Sequence, residues 1–189
     1  MSILERMLDR AVSRSLMIEP MRIRHVGQIM AIERNAYPRP WSVNVFHDEL
    51  REARSGRRHY VVAKRGRAVI GYGGVMFVPG ARPAGDADAD DAGEGHITNI
   101  AVHPAERRSG VATRLLGTLA GEVIRRGCAA WTLEVRATSV GAQELYRRFG
   151  FVPAGVRKQY YENDIDAIVM WCHDIQGPEY ARRLEGLQR

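Results

Sequence analysis

The clearest chemical potential in this sequence lies in Arg107-Arg108-Ser109-Gly110-Val111-Ala112, placed between a predicted strand and a predicted helix. The first turn of an α-helix leaves backbone N–H groups without partners and carries partial positive charge. A glycine there lets a ligand reach the backbone. Ala112 keeps the next contact small, and the flanking arginines add charge for phosphate oxygens. Together they describe a diphosphate cradle at a helix N-terminus. One glycine in an arginine-rich turn is also what a plain helix start looks like, and on those residues alone the plainer reading is favoured. The strand Ile97 to Val102 directly upstream shifts the balance towards the cradle. No Lys-Ser or Lys-Thr follows the glycine, which argues against a P-loop, and the glycine spacing of a dinucleotide fingerprint is not met.

Other chemistries find little support. Cys128 and Cys172 form no Cys-x-x-Cys pair and read as buried small apolar residues. His25, His47, His59, His96, His103 and His173 are scattered, so no metal is expected. No Cys or Ser nucleophile has a base beside it.

The elements that must position the cradle follow from periodicity. Ile3, Leu4, Met7, Leu8, Ala11, Val12 and Leu16 predict an extra N-terminal helix over 1–16. A short strand follows around Leu16 to Pro20, then a helix carrying Ile23, Val26, Ile29, Met30 and Ile32 that ends before Tyr37-Pro38. Ser42 is placed to cap a second helix from Val43 to Glu52. Strands over His59–Lys64 and Ala68–Val78 flank Arg65-Gly66-Arg67, a hairpin signal. The stretch 79–95 holds Asp86, Asp88, Asp90, Asp91 and Glu94 without apolar anchors and reads as an exposed loop. Beyond it come a strand Ile97–Val102, a helix Gly110–Arg126, a strand Ala130–Val135 and a helix Ser139–Arg148. Strands Val152–Lys158 and Asp166–Cys172 precede a polar tail, 176–189, with helical potential from Pro178 to Gln188. The order β-α-α-β-β-β-α-β-α-β-β is an α/β arrangement, helices flanking a central, mostly antiparallel mixed sheet.

The chain of 189 residues, 45% apolar and 26% charged, fits one domain with peripheral segments. No apolar run is long enough to cross a bilayer, and residues 1–16 lack the features of a secretory signal. A cytoplasmic protein is expected, with no membrane partner. The net charge of +6 and pI of about 9.7 suit nucleic acid, a phosphate-rich cofactor or a merely arginine-rich surface. The arginines are spread along the whole chain, so charge alone does not choose.

Arg107-x-x-Gly110-x-Ala112 after Ile-Ala-Val-His-Pro resembles the acetyl-CoA motif of the GNAT superfamily of N-acetyltransferases, and the resemblance covers most of residues 17 to 173. It implies the GNAT fold and acetyl-CoA as co-substrate. It also implies a cofactor site made of Ile100, Ala101 and Val102, whose backbone pairs with the pantetheine arm, and of Arg107, Arg108, Ser109, Gly110, Val111, Ala112 and Thr113. The transferase domain is expected over 17–175.

Thr132–Ser139 followed by Ala142–Phe151 resembles the RimI branch, the ribosomal-protein-alanine N-acetyltransferases, and the related Ard1-type N-terminal acetyltransferases. Arg157-Lys158-Gln159-Tyr160-Tyr161 and Asp164–Met170 are similar to both. The resemblance implies Glu134 as general base, acting directly or through a water, and Tyr146 as general acid near the thiol. Taken on its own, a strand Glu is often an ion-pair partner of a neighbour such as Arg136, and a helix Tyr is often core packing. Ser139 stands where the RimI pattern has Asn against the pantetheine; a Ser still caps the helix but reaches less far.

Tyr37-Pro38-Arg39-Pro40-Trp41-Ser42 is similar to the Pro-Trp-Ser element of RimI proteins, where the acceptor enters. Trp41 offers one flat wall, or simply covers the core. Tyr160 and Tyr161, expected in the loop joining the last strands, supply the other wall. Glu94–Val102 is closer to the Ard1 pattern, which makes His96 a second base or proton relay, or merely the start of a strand. The acceptor implied is a polypeptide N-terminus, with ribosomal small-subunit protein eighteen the narrow case and termini beginning Ser, Ala, Thr or Met the broad one. A lysine or small-amine acetyltransferase is the enzymatic rival. A CoA- or RNA-binding module without turnover is the rival of a different class, though nucleic acid is not the expected partner.

Overall fold

Val26, Ile29 and Ile32 recur at helical spacing and all are buried, which is why the first helix forms where it does. The structure, a computed structural model, describes residues 15–80 and 93–187. The expected N-terminal helix therefore lies, up to residue 14, outside the described residues, as does most of the acidic stretch. Leu16 itself belongs to strand β1.

The strands are β1 Leu16–Pro20, β2 Arg58–Arg65, β3 Ala68–Val78, β4 Glu94–Val102, β5 Ala130–Arg136, β6 Val152–Tyr161 and β7 Ile165–Cys172. The helices are α1 Val26–Ala36, α2 Val43–Arg54, α3 Val111–Arg125, α4 Val140–Arg148 and α5 Pro178–Leu187. The strands form one seven-stranded sheet in the order β1-β2-β3-β4-β5-β7-β6. β1–β2, β5–β7 and β6–β7 pair antiparallel, whereas β4 and β5 run parallel from Glu94↔Ala130 to Ile97↔Leu133. This is the mixed sheet with flanking helices that the element order predicts.

The chain forms two compact units, and β3, β4 and α3 each contribute residues to both. The first unit takes the described residues up to Gly74 together with Asn99–Thr118. Its core gathers Ile29, Ile32, Phe46, Val62, Tyr72 and Ala101. Ser42 caps α2 by accepting the Val45 N–H at 3.3 Å, as expected of a serine before an apolar-periodic run. α1 stops where Tyr37 turns extended ahead of Pro38, a residue that disfavours helix before it. Gly74 is required because a Cβ there would overlap the ring of Tyr60.

The second unit takes Val75–Thr98 and the chain from Leu119. Trp131 is fully buried and packs against Phe151 at 4.7 Å and Tyr180 at 6.5 Å between ring centroids. Tyr180 and Leu184 fix α5 to this core, so the helical potential expected of the polar tail is realised as a packed helix. Cys128 and Cys172 are buried free thiols, as expected.

Two strand boundaries differ from the sequence reading by three residues, the others by one at most. β4 begins at Glu94 and not at Ile97, so His96 sits inside the strand. β6 runs on to Tyr161 through a register shift between Arg157 and Tyr161. Gln159 adopts φ 53° there, and its N–H donates to Asp166 Oδ1 at 2.8 Å. The bulge bends the strand and re-aims the side chains that follow. Tyr160 and Tyr161 thus end a strand and are not part of the connecting loop. The turn itself is Glu162-Asn163-Asp164, whose last two residues have positive φ, a conformation Asn and Asp tolerate.

Candidate active site

The cradle residues close the first unit. After β4 the chain makes a short 3-10 turn over Pro104–Glu106, and Arg107 is extended. Arg108 (φ 62°) and Gly110 (φ 81°) then take left-handed conformations before α3 begins at Val111. Such alternation aims successive N–H groups into one concavity, a geometry that suits anions. Ser109 Oγ donates to the Glu106 carbonyl at 2.6 Å and pins the turn. Arg107, Arg108, Ser109 and Gly110 are all exposed, and a Cβ added at Gly110 would meet nothing within 4 Å. The cradle is therefore open, cationic and unobstructed, which fits a diphosphate. Val111 is buried, so only its backbone can serve a ligand, and Ala112 and Thr113 are half-buried.

Upstream, Ile100 and Val102 are half-buried and Ala101 is buried. The His103 N–H donates to the Ile70 carbonyl of β3 at 2.9 Å. Because the N–H and C=O of one strand residue leave by one edge and those of the next by the other, Ala101 faces β3 as His103 does. Ile100 and Val102 face the opposite edge. That is the edge an added, strand-like ligand would use.

Trp41 also belongs to the first unit. Its indole lies 5.5 Å from the Phe46 ring and is packed against the core cluster, so it covers the core while remaining partly exposed. Its backbone N–H donates to Glu33 Oε1 at 2.9 Å. Glu33 is a buried carboxyl, 1% exposed, that also accepts the Tyr72 hydroxyl. Burial pushes its pKa up, against the opposing pull of the Trp41 N–H.

The proton-handling candidates stand in the second unit. Glu134, on β5, has a side chain only 8% exposed. Its Oε2 lies 3.1 Å from His96 Nε2 and its Oε1 lies 3.1 Å from Arg157 Nη2. The Arg136 pairing weighed from sequence is not what forms: Arg136 binds Glu162 at 2.6 Å and lies over the Tyr161 ring at 4.2 Å. The reason is alignment across strands. His96 sits opposite Thr132, two residues from Glu134 on the same face, whereas Arg136 is drawn to the β6–β7 hairpin.

The Tyr161 hydroxyl donates to the Glu134 backbone carbonyl at 3.1 Å. Burial, with Tyr160 alongside, pushes its pKa up to about 12. Tyr160 is half exposed and meets Tyr161 edge-on at 5.1 Å. Tyr146, on α4, is 6% exposed and packs edge-on against Phe151 at 5.8 Å. Burial, then the neighbouring Tyr161, raises its pKa well above the ordinary phenol value. A phenol so placed keeps its proton, which suits an acid and not a base.

Ser139 stands at the N-cap of α4, but its side chain makes no capping bond. A different tie at this junction comes from a residue the sequence reading passed over. Gln143 is buried, and its Nε2 donates to the carbonyls of Arg136 at 3.2 Å and Ala137 at 2.9 Å. It ties the end of the strand carrying Glu134 to the helix carrying Tyr146. Arg157 and Glu33 were likewise missed. Glu33 had a readable signal, since it lies four residues after Ile29 on the apolar face of α1. Among the described residues no His, Cys, Asp and Glu side chains gather as a metal site, and no helix is long and apolar enough to cross a membrane.

Several known proteins resemble this chain. The acetyltransferase (GNAT) family model matches residues 26–151. A Bacillus subtilis (strain 168) protein, provisionally named a ribosomal protein bS18-alanine N-acetyltransferase, is 32% identical over 155 residues, 82% of this chain and 93% of its own. The N-alpha-acetyltransferase RimI of Mycobacterium tuberculosis is 33% identical over 132 residues, 69% of this chain and 74% of its own. The crystal structure of the Escherichia coli ribosomal-protein-S18-alanine N-acetyltransferase superposes with a TM-score of 0.70 at 27% identity, covering 85% of this chain and 94% of that one.

Proposed function

This chain belongs to the GNAT acetyltransferase family, and on that premise we propose that it acetylates the α-amine of polypeptide N-termini, with an N-terminal alanine of a ribosomal protein as the acceptor. Acetyl-CoA supplies an activated acetyl group as a thioester. Everything else in the reaction falls to the protein's own residues.

In this reading the N–H groups around Gly110, with Arg107 and Arg108, hold the diphosphate. The Ile100–Val102 edge of β4 aligns the pantetheine, and the Ile100 N–H polarises the thioester carbonyl. Ala112, Thr113 and Ser139 complete the cofactor contacts. An α-ammonium has a pKa near 7.7–8.0, so close to neutral pH it must give up a proton before it can attack. Glu134 accepts that proton, directly or through a water, and His96 on Oε2 passes it outward. Tyr146 protonates the departing sulfur. Trp41, Tyr160 and Tyr161 are the residues this reading assigns to the acceptor chain. The setting is the cytoplasm, where ribosomal proteins are made.

The observation that carries the proposal is the enclosed Glu134 carboxylate, held by a histidine and an arginine, in a chain whose two cysteines are buried. Such a base suits direct attack by an amine and not a covalent acyl-enzyme. The test is CoA-thiol release on an alanine-initiated peptide with wild type and Glu134→Gln. Loss of at least ~10²-fold in kcat is expected for the variant. A wild-type rate in Glu134→Gln removes the base from the mechanism, and transfer only to N-terminally blocked, lysine-bearing peptides removes the acceptor.

A further inference from the structure

The loop from Tyr37 to Ser42 is fastened at both ends inside the first unit. At its far end Trp41 N–H donates to the buried Glu33. At its near end the Tyr37 hydroxyl donates to the backbone carbonyl of Ile100 at 2.9 Å, across 63 residues of sequence. Tyr37 is half-buried and packs against the core cluster, so the aim of its hydroxyl is set by the core and not by solvent.

The place of that bond matters. Ile100 directs both its N–H and its C=O to the edge of β4 that faces away from β3. The pairing of β4 with β5 runs from Glu94↔Ala130 to Ile97↔Leu133, so Ile100 lies beyond it. A strand edge presents donors and acceptors in alternation. Beside an oxygen that gains negative charge, the neighbouring carbonyl opposes the very effect the N–H produces.

We propose that Tyr37 is a positioning residue for the acetyl group: its hydroxyl engages the Ile100 carbonyl, which weakens that carbonyl's opposition to the N–H that polarises the thioester oxygen. The inference rests on the reading of β4 as the acetyl-CoA strand. The phenol draws charge away from the carbonyl and holds the Ile100 peptide plane in one orientation, which keeps the N–H aimed. It also joins the acceptor's wall to the cofactor's strand, because Tyr37 and Trp41 lie on one short loop. No bond of Tyr37 is made or broken in the reaction.

Tyr37→Phe removes the hydroxyl and keeps the ring in its packing. The direct readout is the infrared stretch of [1-¹³C]acetyl-CoA bound to the whole protein, with melting temperature and CoA affinity as controls. A shift of the bound carbonyl to higher frequency in Tyr37→Phe is expected, with CoA affinity unchanged and kcat down about five- to tenfold, the scale of one hydrogen bond. Placing 3,5-difluorotyrosine at position 37, a stronger donor of nearly the same shape when measured in mild acid where its phenol stays protonated, should move the stretch the opposite way. An unmoved stretch in both variants overturns the proposal, whatever happens to kcat, because a loop staple alone would change the rate without touching the carbonyl. If Tyr37→Phe fails to fold, the difluorotyrosine protein decides by itself. Wild type that takes up no acetyl-CoA at all refutes the functional reading and this inference with it, an outcome distinct from uptake with an unmoved stretch.

Discussion

Removing the Glu33 carboxyl should separate two costs that wild type hides. Glu33 accepts the Trp41 N–H at 2.9 Å and the Tyr72 hydroxyl, and Tyr72 is fully buried. In Glu33→Ala both donors lose their acceptor in a site of little solvent access. A stranded buried donor costs about 1–3 kcal/mol, so the variant should lose about 2–5 kcal/mol. For a chain of this size that is a fall in Tm of about 5–15 °C. Glu33→Gln keeps an acceptor for the Trp41 N–H and an amide for the Tyr72 oxygen, so it should stay within about 1 kcal/mol of wild type. The pH dependence adds a second handle. Burial raises the Glu33 pKa above its ordinary 4.5, so the native state binds the proton more tightly than the unfolded one. Its contribution is fully present below the unfolded pKa and is lost as pH rises through the folded one. The advantage of wild type over Glu33→Gln should therefore be greatest in acid and shrink as pH rises. Thermal melts by circular dichroism across a pH series measure all of this. Glu33→Ala melting within about 2 °C of wild type would refute the reasoning.

Further outcomes follow from the same geometry. Gly74→Ala places a methyl on the ring of Tyr60, whose hydroxyl is bound to Glu49 at 2.7 Å. The ring cannot yield without breaking that bond, so a loss of about 1–3 kcal/mol is expected in a denaturant titration. Gly110→Val forces a β-branched residue to φ 81° in the exposed turn. Strain of about 1–2 kcal/mol and the side chain over the cradle should weaken acetyl-CoA binding at least tenfold by calorimetry; undiminished affinity would dismiss the cradle. Tyr146→Phe should lower kcat about 10²-fold while leaving the rising limb of the pH–rate profile in place, because that buried phenol is not the group that ionises there. Loss of that limb would show that the rise belongs to Tyr146 itself.

What could be read in advance was whatever depends on neighbours in sequence. The helix start around Gly110, the Ser42 cap and the apolar faces of α1 and α2 obey local rules, and the structure has the cap at Ser42 and the helix one residue on, at Val111. The start of β4 was misplaced because Glu94-Gly95-His96 carries no apolar alternation, although it pairs with the buried Ala130–Thr132. The bulge at Gln159 depends on Asp166, seven residues on and on another strand. Partners of the candidate base were the hardest. Glu134 has Arg136 two residues away, yet His96 and Arg157 reach it from strands 38 and 23 residues distant in sequence, and Arg136 turns to Glu162. Only strand register decides between such arginines, and register is a property of the folded sheet.

The nitrogen that receives the acetyl group defines the reaction. A peptide with a free N-terminal alanine and one internal lysine, incubated with the enzyme and acetyl-CoA, can be mapped by tandem mass spectrometry. Acetyl on the alanine nitrogen, with the lysine unmodified, is the predicted product. Acetyl confined to the lysine side chain would contradict the account.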